Sequence, residues 1–202
     1  SKLFLNSNGL QFKLKRFLDI ILSFILLLIS LPFILISGLL IWFPDRGPIL
    51  YKQERDGLFS QKFHVYKLRT MIVNAETSGP QWATENDTRI TLIGNFLRKT
   101  RIDELPQLVS VLKGDMSLIG PRPERPEFNT LLEGKIPYYN LRHILKPGLS
   151  GWAQVNYPYS SSIEESKHKL SYDLFYISNY SIFLDFMIFF KTLKIVFGGK
   201  GL

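Results

Sequence analysis

Cysteine is absent from the 202-residue sequence, and this absence excludes several kinds of chemistry. The chain can form no disulfide bond, no zinc site with cysteine ligands and no thiol nucleophile. Histidine is scarce, and His64, His143 and His168 are too scattered to suggest a zinc cluster. The sequence also lacks a strand followed by a glycine-rich loop, which argues against a nucleotide-sugar glycosyltransferase of the Rossmann type.

Acidic residues are outnumbered by basic ones, with 17 Asp and Glu against 25 Lys and Arg and a net charge of +8. This balance favours an anionic partner: nucleic acid, an anionic membrane surface or a phosphorylated substrate. The aromatic content of 14% argues against a disordered chain, and the length is sufficient for one domain with a hydrophobic core.

A long apolar segment occupies residues 17–44, where Asp19 is the only charged residue. It is long enough to cross a bilayer, which takes roughly 20 residues. Two interpretations remain open, a spanning helix and a re-entrant hairpin. Pro32 removes a backbone hydrogen bond near the middle, and Ser30 could satisfy a freed carbonyl. Basic residues flank both ends (Lys13, Lys15 and Arg16 before; Arg46, Lys52 and Arg55 after), and this pattern favours two cytoplasmic ends.

Two adjacent carboxylates, Asp103 and Glu104, follow three closely spaced cations at Arg98, Lys99 and Arg101. The simplest interpretation of such a pair is a helix cap with charge in the first turn. A second interpretation is functional. Helix N-termini keep a carboxylate ionised and can also receive a phosphate, so the segment could be a site for phosphorus chemistry.

A helix is predicted to begin at this carboxylate pair. Leucine and valine residues follow at helical spacing, at positions 105, 108, 109 and 112. Asp103 suits an N-cap, Pro106 is tolerated in a first turn, and Gly114 suits the end of the helix.

Further cations that could bind phosphate lie in a predicted β-hairpin with strands at 48–55 and 62–69. Lys67 and Arg69 would share one face of the second strand, where they could hold a diphosphate or simply be solvated. Arg122 lies between Pro121 and Pro123, which stiffen the backbone. A fixed guanidinium suits a phosphate and a proline ring can pack on a flat base, although a rigid connector is an equally good interpretation.

The remaining segments predict loops and helices. Polar residues 74–90 indicate a loop that could close over a site, and residues 90–99 indicate a short helix that delivers Arg98 to Asp103. Two more helices are predicted, one that begins near 160–162 and ends near 177, and one at 182–197. The last is apolar enough to lie on a membrane, to pack as core or to mediate a homodimer.

Several motifs, in their order and spacing, resemble the bacterial sugar transferases, the monotopic phosphoglycosyl transferases that start lipid-linked glycan assembly. They are the segments 15–19, 53–55, 66–71, 97–100, 103–107, 114–123 and 147–152. Residues 124–128 and 156–159 look most like exopolysaccharide-type members, such as undecaprenyl-phosphate glucose or galactose phosphotransferases. Those members carry preceding membrane helices and a soluble domain, so residues 1–12 are interpreted as a leader or the remnant of a preceding domain.

The resemblance implies a reaction and a set of roles. A UDP-sugar gives its sugar-1-phosphate to undecaprenyl phosphate, which yields polyprenyl-diphosphate-sugar and UMP. By resemblance, Asp103 is the nucleophile that forms an aspartyl phosphosugar intermediate, and Glu104 helps to hold Mg²⁺. The expected donor-binding residues are Lys67, Arg69, Arg98, Arg101 and Arg122 together with Pro121 and Pro123. The family's membrane element is re-entrant, which would make Ser30 and Pro32 the hinge.

The expected architecture is mainly α with a small β-hairpin, divided into the leader at 1–12, a re-entrant membrane helix-hairpin at 13–46 and a catalytic domain at 47–202. The expected location is the bacterial inner membrane, with the catalytic domain on the cytoplasmic face and with no nucleic acid as partner. The alternative is a non-enzymatic, membrane-anchored basic module that binds anionic lipid or nucleic acid. That module should spread its cations along one face with interleaved aromatic residues, whereas here they cluster near the carboxylates.

Overall fold

The computed structural model describes residues 9–77, 79, 87–157 and 162–198. They form a mainly helical protein with two small sheets. The helices are α1 Gly9–Asp45, α2 Leu92–Thr100, α3 Leu108–Lys113, α4 Pro126–Glu133, α5 Trp152–Asn156, α6 Ile163–Ser178 and α7 Ile182–Phe197. The strands are β1 Leu50–Asp56, β2 Lys62–Leu68, β3 Ser117–Ile119 and β4 Gly148–Ser150. Short 3₁₀ helices lie at Leu58–Ser60, Ile102–Gln107 and Tyr139–Ile144.

Parts of several sequence predictions fall outside the described residues, including residues 160 and 161 of the helix start predicted near 160–162. Of the leader, residues 1–8 lie outside, while 9–12 already belong to α1. Of the loop predicted at 74–90, residues 78 and 80–86 lie outside. Of the exopolysaccharide-type segment at 156–159, residues 158 and 159 lie outside.

Helix α1 places its apolar side chains outward and its polar ones inward. Phe24 and Leu39 are 54% and 64% exposed, and most other large side chains of the helix are exposed as well. The buried positions include Asp19, Ser23 and Ser37, on the side that meets the rest of the protein. The helix is long and apolar enough to cross a membrane. Soluble proteins rarely expose an apolar surface of this size to water, so α1 supports a membrane location.

The predicted interruption at Pro32 is not a break in α1. One helix of 37 residues runs through Pro32, and the Ser30 hydroxyl donates to the Leu27 carbonyl over 3.1 Å. The carbonyl that Pro32 leaves without its usual partner is that of Leu28, so Ser30 does not compensate for it as expected. The re-entrant course of α1, with both ends on one side of the bilayer, stays a prediction.

The β-hairpin is confirmed. Strands β1 and β2 pair antiparallel, from Leu50 opposite Leu68 to Asp56 opposite Lys62. A second sheet was not predicted: β3 and β4 pair in parallel, with Ser117 opposite Gly148. Gly148 is required there, because a Cβ atom would clash with the Gly120 backbone. Strands of three residues are too short to produce a recognisable alternation in the sequence.

The hydrophobic core joins the hairpin, the central helices and the C-terminal helices. Val65, Val111, Met116, Tyr176 and Ile188 are at most 1% exposed and belong to one cluster. This cluster anchors β2 and α3 on both sides of the 3₁₀ helix Ile102–Gln107. The core thereby fixes the position of the segment that carries the two adjacent carboxylates.

Helix α7 has two faces. Leu184 and Ile188 are buried in the core, whereas Phe183 and Phe190 are 72% and 65% exposed. One of the three roles considered for this helix, packing as core, is therefore confirmed for one face. The exposed phenylalanine face keeps the membrane and homodimer roles as predictions.

Candidate active site

The carboxylate pair lies inside the first turn of a helical segment and not at its N-cap. Asp103 and Glu104 belong to the first turn of the 3₁₀ helix Ile102–Gln107, which leads directly into α3. The residue that precedes the turn is Arg101, in the left-handed conformation with φ 59°. Because Arg101 ends α2 and starts the next turn by itself, the prediction of Asp103 as N-cap is wrong. Gly114 ends α3 as predicted, with φ 98°.

Glu104 is the centre of a cluster of cations. It is 6% exposed, and its Oε1 lies 2.6 Å from Lys67 Nζ and 2.7 Å from Arg122 Nη2. Its Oε2 lies 3.5 Å from Arg101 Nη1. The structure thus brings together three predicted phosphate ligands, from the hairpin, from the residue before the 3₁₀ helix and from the proline-rich segment.

The same cations set the ionisation of Glu104. Burial alone would raise the pKa of Glu104, but the charges of Arg122 and Lys67 outweigh burial and hold it well below its usual range. Glu104 is therefore ionised throughout the neutral range, and each of its oxygens already faces a cation.

Asp103 is also 6% exposed, yet its surroundings are the opposite of those of Glu104. Its Oδ1 atom is buried and has no hydrogen-bond partner among the described residues. Burial, together with the neighbouring charge of Glu104, raises the pKa of Asp103 to about 6. A helix N-terminus was expected to keep this carboxylate ionised, but burial works against that, and Asp103 is mainly ionised only above about pH 6.

Arg98 reaches the cluster from the last turn of α2. Its Nε atom donates to Thr70 Oγ1 over 2.9 Å. Among the described residues it forms no ion pair with a carboxylate. Its charge nevertheless acts on Asp103, because it opposes the rise in the pKa of that carboxyl. The prediction that α2 delivers Arg98 to the region of Asp103 is supported.

Arg69 is not brought to the carboxylate pair. Strand β2 ends at Leu68, so Arg69 does not continue the alternation that would place it beside Lys67. Its Nη2 atom donates to Asp45 Oδ1 over 2.7 Å and to the Ile41 carbonyl over 3.1 Å. In this structure Arg69 ties the end of α1 to the hairpin.

The proline-rich segment is held rigidly, but its proline rings point inward. Pro121 and Pro123 are buried, so neither ring is open for a nucleotide base to stack on. The Arg122 carbonyl accepts a hydrogen bond of 2.7 Å from Arg142. Arg142 is itself buried and paired with Asp173 of α6 at 2.9 Å. Arg142 thus holds the backbone of Arg122 in place, while the Arg122 guanidinium is held by Glu104.

A second carboxylate with cations was missed from the sequence. Glu124 lies 2.9 Å from Lys169 and 3.7 Å from Arg55, and Arg55 also donates to the Pro123 carbonyl over 3.0 Å. Burial would raise the pKa of Glu124, but the charges of Lys169 and Arg55 lower it to about 2. The motifs at 53–55 and 124–128 contain Arg55 and Glu124, but Lys169 is distant in sequence and no local pattern marks it.

Magnesium fits this site only if phosphate oxygens of a bound substrate complete its coordination. Among the described residues no group of three His, Cys, Asp or Glu side chains could hold a metal ion. Mg²⁺ commonly binds one or two carboxylates together with substrate phosphates and water. Since both oxygens of Glu104 face cations, Asp103 is the protein ligand that remains available. The predicted role of Glu104 as the metal ligand stays a prediction.

Comparison with known proteins identifies relatives of this chain. The family model described as bacterial sugar transferase matches residues 10–199. The chain is 43% identical over 188 residues to a UDP-N-acetylgalactosamine-undecaprenyl-phosphate N-acetylgalactosaminephosphotransferase of Aeromonas hydrophila, which covers 93% of this chain and 44% of the relative. It is 38% identical over 187 residues to the UDP-glucose:undecaprenyl-phosphate glucose-1-phosphate transferase of Escherichia coli K12, with 92% and 40% covered.

A third relative has nearly the same length as the matched segment. The exopolysaccharide production protein PSS of Rhizobium leguminosarum bv. phaseoli is 40% identical over 185 residues, which cover 89% of this chain and 92% of the relative. By contrast, the chain spans only 44% and 40% of the length of the first two relatives.

Proposed function

The chain belongs to the bacterial sugar transferase family, and from this premise we propose that it transfers a sugar-1-phosphate from a UDP-sugar to undecaprenyl phosphate. Two relatives are named for a UDP-sugar and for undecaprenyl phosphate, which supports this donor and this acceptor. The structural observation that carries the proposal is Asp103. It is a buried carboxylate that has one unpartnered oxygen and lies among cations.

The charge of the site suits a diphosphate. Four cations, Lys67, Arg98, Arg101 and Arg122, surround two carboxylates, so the cluster keeps a positive excess when both carboxylates are ionised. Such an excess attracts a nucleoside diphosphate and stabilises charge that moves between phosphate groups. The ion pair with Glu104 and the hydrogen bond from Arg142 to the Arg122 carbonyl would keep this guanidinium in position as the donor binds.

In the proposed first step an oxygen of the ionised Asp103 carboxylate bonds to the β-phosphorus of the UDP-sugar. The bond between that phosphorus and the oxygen bridging to the α-phosphate breaks, and UMP leaves with the electron pair. In the second step a phosphate oxygen of undecaprenyl phosphate attacks the phosphorus of the aspartyl phosphosugar. The bond to the Asp103 oxygen then breaks, and the carboxylate is regenerated.

Glu104 would organise the cations rather than react. Its two oxygens hold Lys67, Arg122 and Arg101 around the reaction site. Magnesium, when bound with the donor, would offset the charge of the diphosphate so that an anionic nucleophile could approach.

The length and apolar surface of α1 support a membrane position for the protein. We place this helix in the bacterial inner membrane, with both ends and the catalytic part on the cytoplasmic face, because basic residues flank both ends of the apolar segment. A lipid phosphate at headgroup level and a soluble donor could then meet at Asp103.

The alternative, a non-enzymatic module that binds anionic lipid or nucleic acid, is less well supported. Such a module would present cations to solvent along one face. Here Lys67 and Arg122 are directed at a buried carboxylate, and family membership favours a transferase.

The proposal is tested by UMP release from a panel of UDP-sugars, with Mg²⁺ and undecaprenyl phosphate. We expect release with one or two sugars and its loss in Asp103→Asn, while the exposed Asp115→Asn behaves as wild type. Incubation with the active UDP-sugar alone should add the mass of one sugar phosphate to the wild-type protein. Full activity of Asp103→Asn would remove Asp103 from the mechanism, and no release with any sugar would leave the alternative.

A further inference from the structure

Arg98 differs from the other cations of the cluster in what it contacts. Lys67, Arg101 and Arg122 all lie within 3.5 Å of a Glu104 oxygen. Arg98 makes no such ion pair in the described part of the chain, and the one hydrogen bond of its side chain there goes from Nε to Thr70 Oγ1. As far as the described residues go, both Nη groups of Arg98 are therefore available for an incoming anion.

Because Thr70 binds Arg98 through Nε, this hydrogen bond leaves the two Nη groups of the guanidinium free to bind an anion. A guanidinium held through Nε presents its two Nη groups as a planar fork, and this fork matches two oxygens of one phosphate. The Thr70 hydroxyl limits rotation of the fork, so less conformational entropy is lost when a phosphate binds.

Thr70 is itself held firmly. It is 7% exposed, and its carbonyl accepts a 3.0 Å hydrogen bond from the Thr91 amide at the start of α2. Thr91 caps the helix, since its Oγ1 accepts from the Gly94 amide over 2.9 Å. Gly94 packs so closely that a Cβ atom would clash with the Thr70 carbonyl. Thr70 thus contacts Arg98 through its hydroxyl and the start of α2 through its carbonyl.

We propose that Thr70 is a positioning residue, which orients the Arg98 fork toward the phosphates of the donor beside Asp103. This inference rests on the proposed transferase function. It separates two roles of Thr70: the backbone holds α2 in place, whereas the hydroxyl orients Arg98. Substitution of the side chain alone can distinguish these roles.

The test compares Thr70→Val with Thr70→Ser in the full chain. Valine has nearly the same shape and leaves the backbone contacts intact, but it cannot accept from Arg98 Nε, whereas serine can. We expect kcat/KM for the UDP-sugar to fall about 10-fold or more in Thr70→Val, as for loss of a hydrogen bond to a charged group, and to stay near the wild-type value in Thr70→Ser. Thr130→Val, on the exposed side of α4, is the matched control and should leave kcat/KM unchanged.

A double-mutant cycle shows whether Thr70 acts through Arg98. In an Arg98→Lys background the fork no longer exists, so adding Thr70→Val should cause little further loss. Equal losses in Thr70→Val and Thr70→Ser, no loss in Thr70→Val, or additive losses in the cycle would each overturn the proposal.

Binding of UDP, measured by calorimetry, separates this proposal from the function on which it rests. We expect Thr70→Val, but not Thr70→Ser, to weaken UDP binding about 10-fold, in proportion to the lost hydrogen bond. If the wild-type protein binds UDP but releases no UMP from any UDP-sugar, the proposed function fails while the role of Thr70 is still decided by this comparison. If Thr70→Val binds UDP as the wild type does, the role of Thr70 is refuted.

Discussion

Replacement of Asp103 by asparagine should make the folded protein more stable at pH 7.5 while it abolishes turnover. The pKa of Asp103 is raised from 3.8 to about 6, because the carboxyl is buried beside Glu104. Ionising it in the folded protein therefore costs about 3 kcal/mol more than ionising it in the unfolded chain. Asparagine has no charge to bury, so Asp103→Asn should gain up to about this amount, or a thermal midpoint roughly 6 to 12 °C higher.

The sign of the effect gives a second test through pH. A raised carboxyl pKa means that the folded protein binds the proton more tightly than the unfolded chain does. The wild type thus loses stability as the pH rises from 3.8 to about 6, and Asp103→Asn escapes this loss. The difference in stability between the two proteins should vanish near pH 4, grow up to about pH 6 and remain constant above it.

The neighbouring carboxylate supplies a control of opposite sign. The pKa of Glu104 is held well below its usual range, so its ionised form stabilises the fold at neutral pH. Glu104→Gln would leave Lys67 and Arg122 without their shared anion and should destabilise the protein by about 3 kcal/mol or more. Asp115→Asn, at an exposed carboxylate, controls for the loss of one negative charge.

The thermal midpoint of the wild type, Asp103→Asn, Glu104→Gln and Asp115→Asn can be measured by tryptophan fluorescence during heating in detergent. The measurement is repeated at several pH values between 4.5 and 7.5. The reasoning is refuted if Asp103→Asn is no more stable than wild type at pH 7.5. It is also refuted if the difference between them does not change with pH.

Three further experiments test the pH dependence of turnover, the binding of Mg²⁺ and the course of α1. UMP release should fall as the pH drops through about 6, because Asp103 is then protonated; a flat pH–rate profile down to pH 5 would exclude it as the nucleophile. Glu104→Gln should lower turnover and raise the half-saturating Mg²⁺ concentration, because Glu104 is predicted to help hold the ion; an unchanged half-saturation would exclude Glu104 as a metal ligand. Single cysteines at the exposed Gln11 and Gln61 of this cysteine-free chain should both react with an impermeant thiol reagent from the cytoplasmic side; reaction from opposite sides would make α1 a spanning helix.

The features that could be predicted from the sequence are those with a strong local pattern. The β-hairpin follows from two strand-like segments around Asp56 and Gly57, and α7 follows from a long apolar segment. The convergence of Lys67, Arg122 and Glu104 is different, because no local rule joins residues so far apart in the chain. It was expected only from the resemblance to a family in which these motifs occur together.

Other features depend on tertiary contacts that a linear pattern does not contain. Arg69 was assigned to the phosphate site on the assumption that β2 continues, whereas the strand ends one residue earlier and the side chain turns to Asp45. The proline rings beside Arg122 were expected to be open for a base, but packing buries them. The pKa of Asp103 was expected to stay low, but burial raises it, and burial is a property of the whole fold.

The two carboxylates are adjacent and chemically alike, so only their surroundings can give them different roles. Glu104 has a cation at each oxygen, and its ionised form is stabilised so strongly that it would be a poor nucleophile. Among the described residues Asp103 Oδ1 has no hydrogen-bond partner, and its pKa of about 6 leaves the carboxyl mainly ionised at neutral pH with that oxygen unsatisfied. A carboxylate that is ionised but poorly satisfied gains more from bonding to phosphorus than one already paired. The geometry therefore favours Asp103 as the nucleophile, and the same lack of partners is the reason why its replacement should stabilise the fold.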